Sequence, residues 1–223
     1  MENTGNCWFR LPPGYHDIDP TRLRDVGTQL QQELPIIHDD VASGERAMHQ
    51  TRAMLGLLDD LYEQGMMHAA FGLHRGVDSE LCISLVTVSN LSTGAPNATL
   101  AVSQCGIELT AGGFGTLVDQ RLVDLACGRP AVFAARKLPY LPAQLRVAIG
   151  LETVAPDVFQ ARLAVARPHG PRVVVVDLTT CAVSMANEYT DILLGIGQSL
   201  SFVDPDATPE PPPRPSRLLE FLL

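Results

Sequence analysis

The stretch VFQARLAVARPHGPRVVVVDLTT, residues 158–180, decides the fold class. Its two halves, VFQARLAVA (158–166) and RVVVVDLTT (172–180), are apolar and rich in β-branched residues, and RPHGP between them has the length and turn chemistry of a hairpin loop. Runs joined this tightly pair antiparallel, because a parallel partner requires a crossover of about a dozen residues or more. Val173 to Val176 offer apolar groups to both sides of the strand, which predicts a central position with both faces covered.

The same pattern extends outward. Upstream, HAAFGLHRG (68–76) and LCISLVTVSN (81–90) read as two strands joined by VDSE. QRLVDLACGRPAVFAARKL (120–138) reads as two more about a turn at Gly128, and QLRVAIGLETV (144–154) alternates Leu145, Val147, Ile149 and Leu151 on one side. Helical spacing frames these strands. Thr21–Leu34 sets Leu23, Val26, Leu30 and Leu34 near one face, and Glu45–Gln64 sets Met54, Leu55, Leu58, Leu61 and Tyr62 together before Gly65. SMANEYTDILLGIGQSL (184–200) places Met185, Tyr189, Ile192, Leu193 and Ile196 on one stripe, and NATLAVSQCGIEL (97–109) is a helix with Leu100, Ser103 and Ile107 on one side. The opening NCWFRLPPGY is a short strand stopped by Pro12, Pro13 and Gly14. The expected fold class is therefore α+β: an antiparallel sheet of about six or seven strands flanked by helices.

One domain over residues 1–203 accounts for a chain of 223 residues, with 204–215 as a proline-rich linker and 216–223 as a short apolar C-terminal helix. A formal net charge of -9, from 25 acidic and 16 basic residues, leaves no basic stripe to neutralise phosphates, so nucleic acid is not an expected partner. The opening lacks a charged region followed by an apolar run, which predicts a cytoplasmic location. No apolar run reaches the roughly 18 residues of a spanning helix, so membrane insertion is not expected either. Cys7, Cys82, Cys105, Cys127 and Cys181 are odd in number and form no C-x-x-C pair, which fits reduced and mostly buried thiols.

No catalytic set, metal cluster or cofactor motif emerges. On the strand from His68, the side chains of His68, Ala70, Gly72 and His74 share one face. His68 and His74 stand roughly 20 Å apart along it at about 3.3 Å per residue, too far for one metal ion. The small residues between them leave a groove for a covering helix or for a ligand, with His68 and His74 as its polar groups. HDID (His16, Asp17, Asp19) and HDD (His38, Asp39, Asp40) are expected to cap helices. AGGFG (111–115) lacks both phosphate-loop spacings and is read as a turn. Cys105, whose neighbours Gln104 and Gly106 imply partial exposure, is the most plausible reactive thiol, although nothing basic stands beside it to lower its pKa. Asp177 is expected to be buried and paired with Arg162 or Arg172 on the neighbouring strand.

The tail DPDATPEPPPRPSRLLEFLL (204–223) is the most pointed functional clue. Its last residues include Leu218, Leu219, Phe221, Leu222 and Leu223, an apolar peptide too short to be a stable isolated helix. It is expected to dock on its own domain, on a second copy or on another protein, with Ser216 as its N-cap. The twelve linker residues reach roughly 35 Å, enough for any of the three.

The order of elements, with WFRLPPGY (8–15) running into a Pro-Gly turn and SMANEYTDILLGIGQSLSF (184–202) as a closing helix and return strand, resembles the PsbP-like α/β/α sandwich. That group contains photosystem extrinsic proteins, Ran-binding import factors and actinobacterial LpqN-type lipoproteins. The chain departs from the lipoproteins in lacking a signal sequence and a lipid-attachment cysteine. The resemblance implies protein binding without a shared catalytic set, and it transfers no site residues. The leading expectation is a non-enzymatic cytosolic adaptor, and the alternative is a small-molecule-binding protein or hydrolase using the face of His68 and His74.

Overall fold

A computed structural model describes residues 7–18, 65–75, 81–111, 115–138, 157–180 and 182–204. The expected helices at 21–34 and 45–64, the strand at 144–154, the linker from residue 205 and the C-terminal peptide lie outside the described residues. So do Asp19, His38, Asp39, Asp40 and Cys181.

Seven strands form one sheet: β1 (Tyr15–Ile18), β2 (Met66–Arg75), β3 (Leu81–Ser92), β4 (Thr116–Asp124), β5 (Pro130–Leu138), β6 (Val158–Ala166) and β7 (Arg172–Thr180). The order is β1-β2-β3-β7-β6-β5-β4, and every neighbouring pair is antiparallel. The fold class is thus the α+β antiparallel sheet that the alternation of the strands implies. β7 stands at the centre, and Val173, Val174, Val175 and Val176 are buried on both sides of it. The hairpin loop before β7 turns at Gly170, and the β4–β5 connection turns at Gly128, each with a positive φ.

Two helices supply the cover. α2 (Ala186–Gln198) follows a short 3-10 turn at Val183–Met185. It lays Tyr189, Leu193 and Ile196 on a core of Val86, Val88, Phe133, Leu163, Val174, Val176 and Leu178. Gly197 touches the same core so closely that a Cβ there would collide with the Leu163 side chain. Gln198 ties the end of the helix to the β4–β5 turn, donating to the Asp124 carbonyl at 2.8 Å and accepting from the Ala126 amide at 3.0 Å.

α1 (Ala98–Ala111) crosses the opposite face, over β5, β6 and β7, and carries the chain from β3 to the far edge. The Asn97 side chain accepts the Leu100 amide at 2.9 Å, an N-cap that starts the helix. The helix is where the spacing predicts it, but its buried face is a different one. Ala101, Val102 and Cys105 meet Val132, Ala164, Val173 and Val175, while Leu100, Ser103 and Ile107 point to solvent. Small residues let the backbone approach a flat valine and alanine surface closely, and that contact outweighs the choice of the bulkiest side chains.

The N-terminal segment also differs from its reading. Residues 7–11 join no regular strand; Trp8 and Ser201 form an isolated bridge, with N–H to carbonyl distances of 2.9 and 2.8 Å. After the turn at Gly14 the chain enters β1, so His16 and Asp17 are strand residues paired with Phe71 and Ala70 rather than helix caps. Of the return strand expected after the closing helix, only this isolated bridge at Ser201 forms, with Phe202 and Val203 in a bend.

Candidate functional site

The cross-strand register sorts the side chains by face. Tyr15 opposite Gly72, Asp17 opposite Ala70 and His68 opposite Val88 all fall on the α2 side, while His16, Phe71 and Asp177 fall on the α1 side. The strapped N-terminal segment closes over the β1–β2 edge on the α2 side and leaves a cleft of about 620 Å³. Its walls are Cys7, Trp8, Phe9, Leu11, Tyr15, His16, Asp17 and His68.

His68 is the polar centre of this cleft. Its Nε2 lies 3.3 Å from Oδ1 of Asp17, whose carboxylate is largely exposed. The Phe9 ring meets the imidazole edge-on with centroids 4.9 Å apart, and that fixes the plane of the ring. His16 stacks on Phe71 at 5.2 Å. His74 occupies the register position opposite Cys82, at the other end of β2, and is not among the cleft's lining residues.

Beneath the cleft runs a row of hydroxyls. Tyr15 and Ser84 share a hydrogen bond of 2.8 Å, and Ser84 and Thr180 are buried next to one another across β3 and β7. Tyr189 of α2 reaches the same row. Burial pushes its phenol up, while hydrogen bonding with Thr180 and Ser84 pulls it down. Burial likewise raises Tyr15, against the Ser84 bond. These phenols stay protonated at neutral pH. The Cys7 thiol is also pushed up by burial, opposed by Arg167, and so is held in its weakly nucleophilic form. Cys105 is not the exposed thiol the sequence suggests. It is buried under α1, and desolvation together with Glu108 raises its pKa.

The other polar cluster lies on the α1 side. Arg162 Nε donates to Asp177 Oδ1, so the ion pair expected for Asp177 forms with Arg162 directly across the strands rather than with Arg172. Burial raises Asp177 against the attraction of Arg162 and Arg136. Arg136 is lowered by burial and by Arg162, with Asp177 opposing. Among the described residues no three His, Cys, Asp or Glu side chains converge as a metal cluster.

These features define an α+β domain with helices against both sheet faces and a mixed aromatic and polar cleft at one edge. No family model matches the chain, and no curated protein matches it. Among solved structures it is similar to that of LpqN, involved in cell envelope biogenesis of Mycobacterium tuberculosis, at 9% identity and a TM-score of 0.46, over 90% of this chain and 86% of that one.

Two predictions follow from this geometry. The chain's one tryptophan, Trp8, lines the cleft and reports on it. Ser201→Pro deletes the amide that holds Trp8, a loss of about 1 kcal/mol for one hydrogen bond. Trp8 emission should then shift to the red and become easier to quench with acrylamide, whereas an unchanged spectrum would mean that the bridge does not close the cleft. The second concerns Asp177. A carboxyl raised in the folded state stabilises fully below its ordinary value, and that contribution is lost as pH rises through the folded value. The stability of Asp177→Asn relative to the parent should therefore improve from about pH 4 toward neutrality. Urea midpoints across that range measure it, and a difference that is flat or falls with pH contradicts it.

Proposed function

We propose that this protein is a PsbP-like domain that works in the cytoplasm by binding another protein rather than by catalysis, with its apolar C-terminal peptide as one contact element. The observation that carries this reading is the apolar surface left open at one end of the sheet. Leu117, Val118 and Leu122 on β4, with Leu100 and Ile107 on α1, are large apolar side chains held in solvent by well-formed secondary structure. Large apolar side chains held exposed along an open sheet edge are the kind of surface that a partner covers. The state of the thiols supports the same reading, since Cys7 and Cys105 are both tuned away from nucleophilic chemistry by burial. Among the described residues no helix is long and apolar enough to cross a membrane.

Deleting residues 204–223 tests the role of the tail. Loss of assembly in light scattering, or of captured partners, is the expected result. If both are unchanged the tail is not a contact element, and if only the melting temperature falls the peptide packs on its own domain.

A second reading has its own observation: the Asp17–His68 pair inside an aromatic-walled cleft is suited to a small ligand that carries both an apolar ring and a hydrogen-bonding group. With benzoate as probe, the parent should gain thermal stability and quench Trp8, and the double variant His68→Ala/His74→Ala should lose both effects. A double variant that responds like the parent rejects a site on this face.

A further inference from the structure

We infer that strand β4 pairs with β4 of a second copy of this chain, antiparallel and centred on Gln120, joining two sheets about a two-fold axis. This deepens the interaction reading above by naming the partner of its exposed edge, and it rests on that reading.

Among the described residues β4 is the last strand of the sheet, and there one side of its backbone carries N–H and C=O groups that no sheet neighbour takes up. Natural edge strands are usually kept short or blocked with lysine, proline or an inward-turned charge. β4 is nine residues long, TLVDQRLVD, and contains neither lysine nor proline. Leu122 is 83% exposed, Val118 51% and Leu117 47%. Its irregularity, a register step between Leu117 and Asp119, falls to one side of the centre of the strand.

The sequence of the strand is complementary to itself when reversed. With Gln120 on the axis, Asp119 lies opposite the partner's Arg121 and Arg121 opposite the partner's Asp119. Leu122 then faces the partner's Val118, where the register step ends the regular pairing. Every charge between 119 and 121 meets its opposite. Moving the axis to Arg121 or Asp119 sets like charges against each other. Placing it between residues sends facing side chains to opposite sides of the sheet. The electrostatics therefore favour this register over its immediate neighbours, and two-fold closure leaves no further edge of the same kind.

The charged pair is already held for this role. Arg121 lies over the Phe133 ring, 5.4 Å from its centroid, and its guanidinium reaches Asp119 at 3.2 Å within the same strand. Both side chains stay exposed, Arg121 at 52% and Asp119 at 36%. They are ordered on the α2 side of the edge, where a second copy can exchange partners with them at little entropic cost. On the other side, the Gln120 amide donates to the Gly106 carbonyl at 3.1 Å, which braces the centre of the strand against α1.

The test uses the full chain in light scattering and sedimentation from micromolar to millimolar concentration. The parent should move from the 24.1 kDa monomer toward twice that mass. Asp119→Arg places arginine against arginine, and Arg121→Asp places aspartate against aspartate, so each variant alone should remain monomeric. Mixed one to one, the two variants restore both opposite pairs and should form a heterodimer. Thermal melts check that each variant is folded, as expected for substitutions at exposed positions. The inference is overturned by a parent that stays monomeric throughout, by single variants that still dimerise, or by a mixture that does not. A monomeric parent whose partner capture still depends on residues 204–223 would reject self-pairing while leaving the interaction reading in place.

Discussion

Four consecutive valines in the middle of a seven-stranded sheet, Val173–Val176, can be dry on both sides only if something apolar covers each face. That requirement sends α1 and α2 to opposite sides of β7 and makes the protein three layers deep. It also sets how each helix must look. α2 meets the larger side chains of one face with Tyr189, Leu193 and Ile196, and its Gly197 lets Leu163 come close. α1 lies against valine and alanine on the other face and presents Ala101, Val102 and Cys105.

Each face also carries a polar cluster. On the α1 side this is Arg162, Asp177 and Arg136, a cluster whose burial penalty is only partly offset by charge pairing. On the α2 side it is the hydroxyl row of Tyr15, Ser84, Thr180 and Tyr189, above which the N-terminal segment closes a cleft around His68. The cleft depends on the same central packing, because Ser201, which holds Trp8, follows directly on the helix that covers β7.

The two edges of the sheet are finished in different ways. β1 is four residues long, and the strap through Trp8 and Phe9 packs beside it. β4 is more than twice that length and leaves leucine and valine in solvent beside an ordered Asp119–Arg121 pair. The described sheet thus has one short edge beside a cleft and one long edge that carries exposed apolar side chains.

By itself the sequence determined what depends on neighbours close along the chain. Period-two alternation placed the hairpins of β2–β3, β4–β5 and β6–β7, and helical spacing placed α2. The unbroken valines made β7 central, and an acid in that strand predicted an ion pair for Asp177 with Arg162 or Arg172, of which Arg162 forms it. Only the tertiary structure decided what depends on residues far apart. β3 lies beside β7 across an interval of 80 residues, with Leu85 opposite Thr179, and no local pattern encodes that pairing. The side α1 presents was set by the close packing its small residues allow, against the pull of its own leucine and isoleucine. His16 and Asp17 became strand residues because β2 offered them a ladder, and His68 acquired Asp17 and Phe9 only when the N-terminal segment crossed that face. Period and turn chemistry act over a few residues, whereas a site like the His68 cleft is made by segments that meet only after the sheet has closed around its centre.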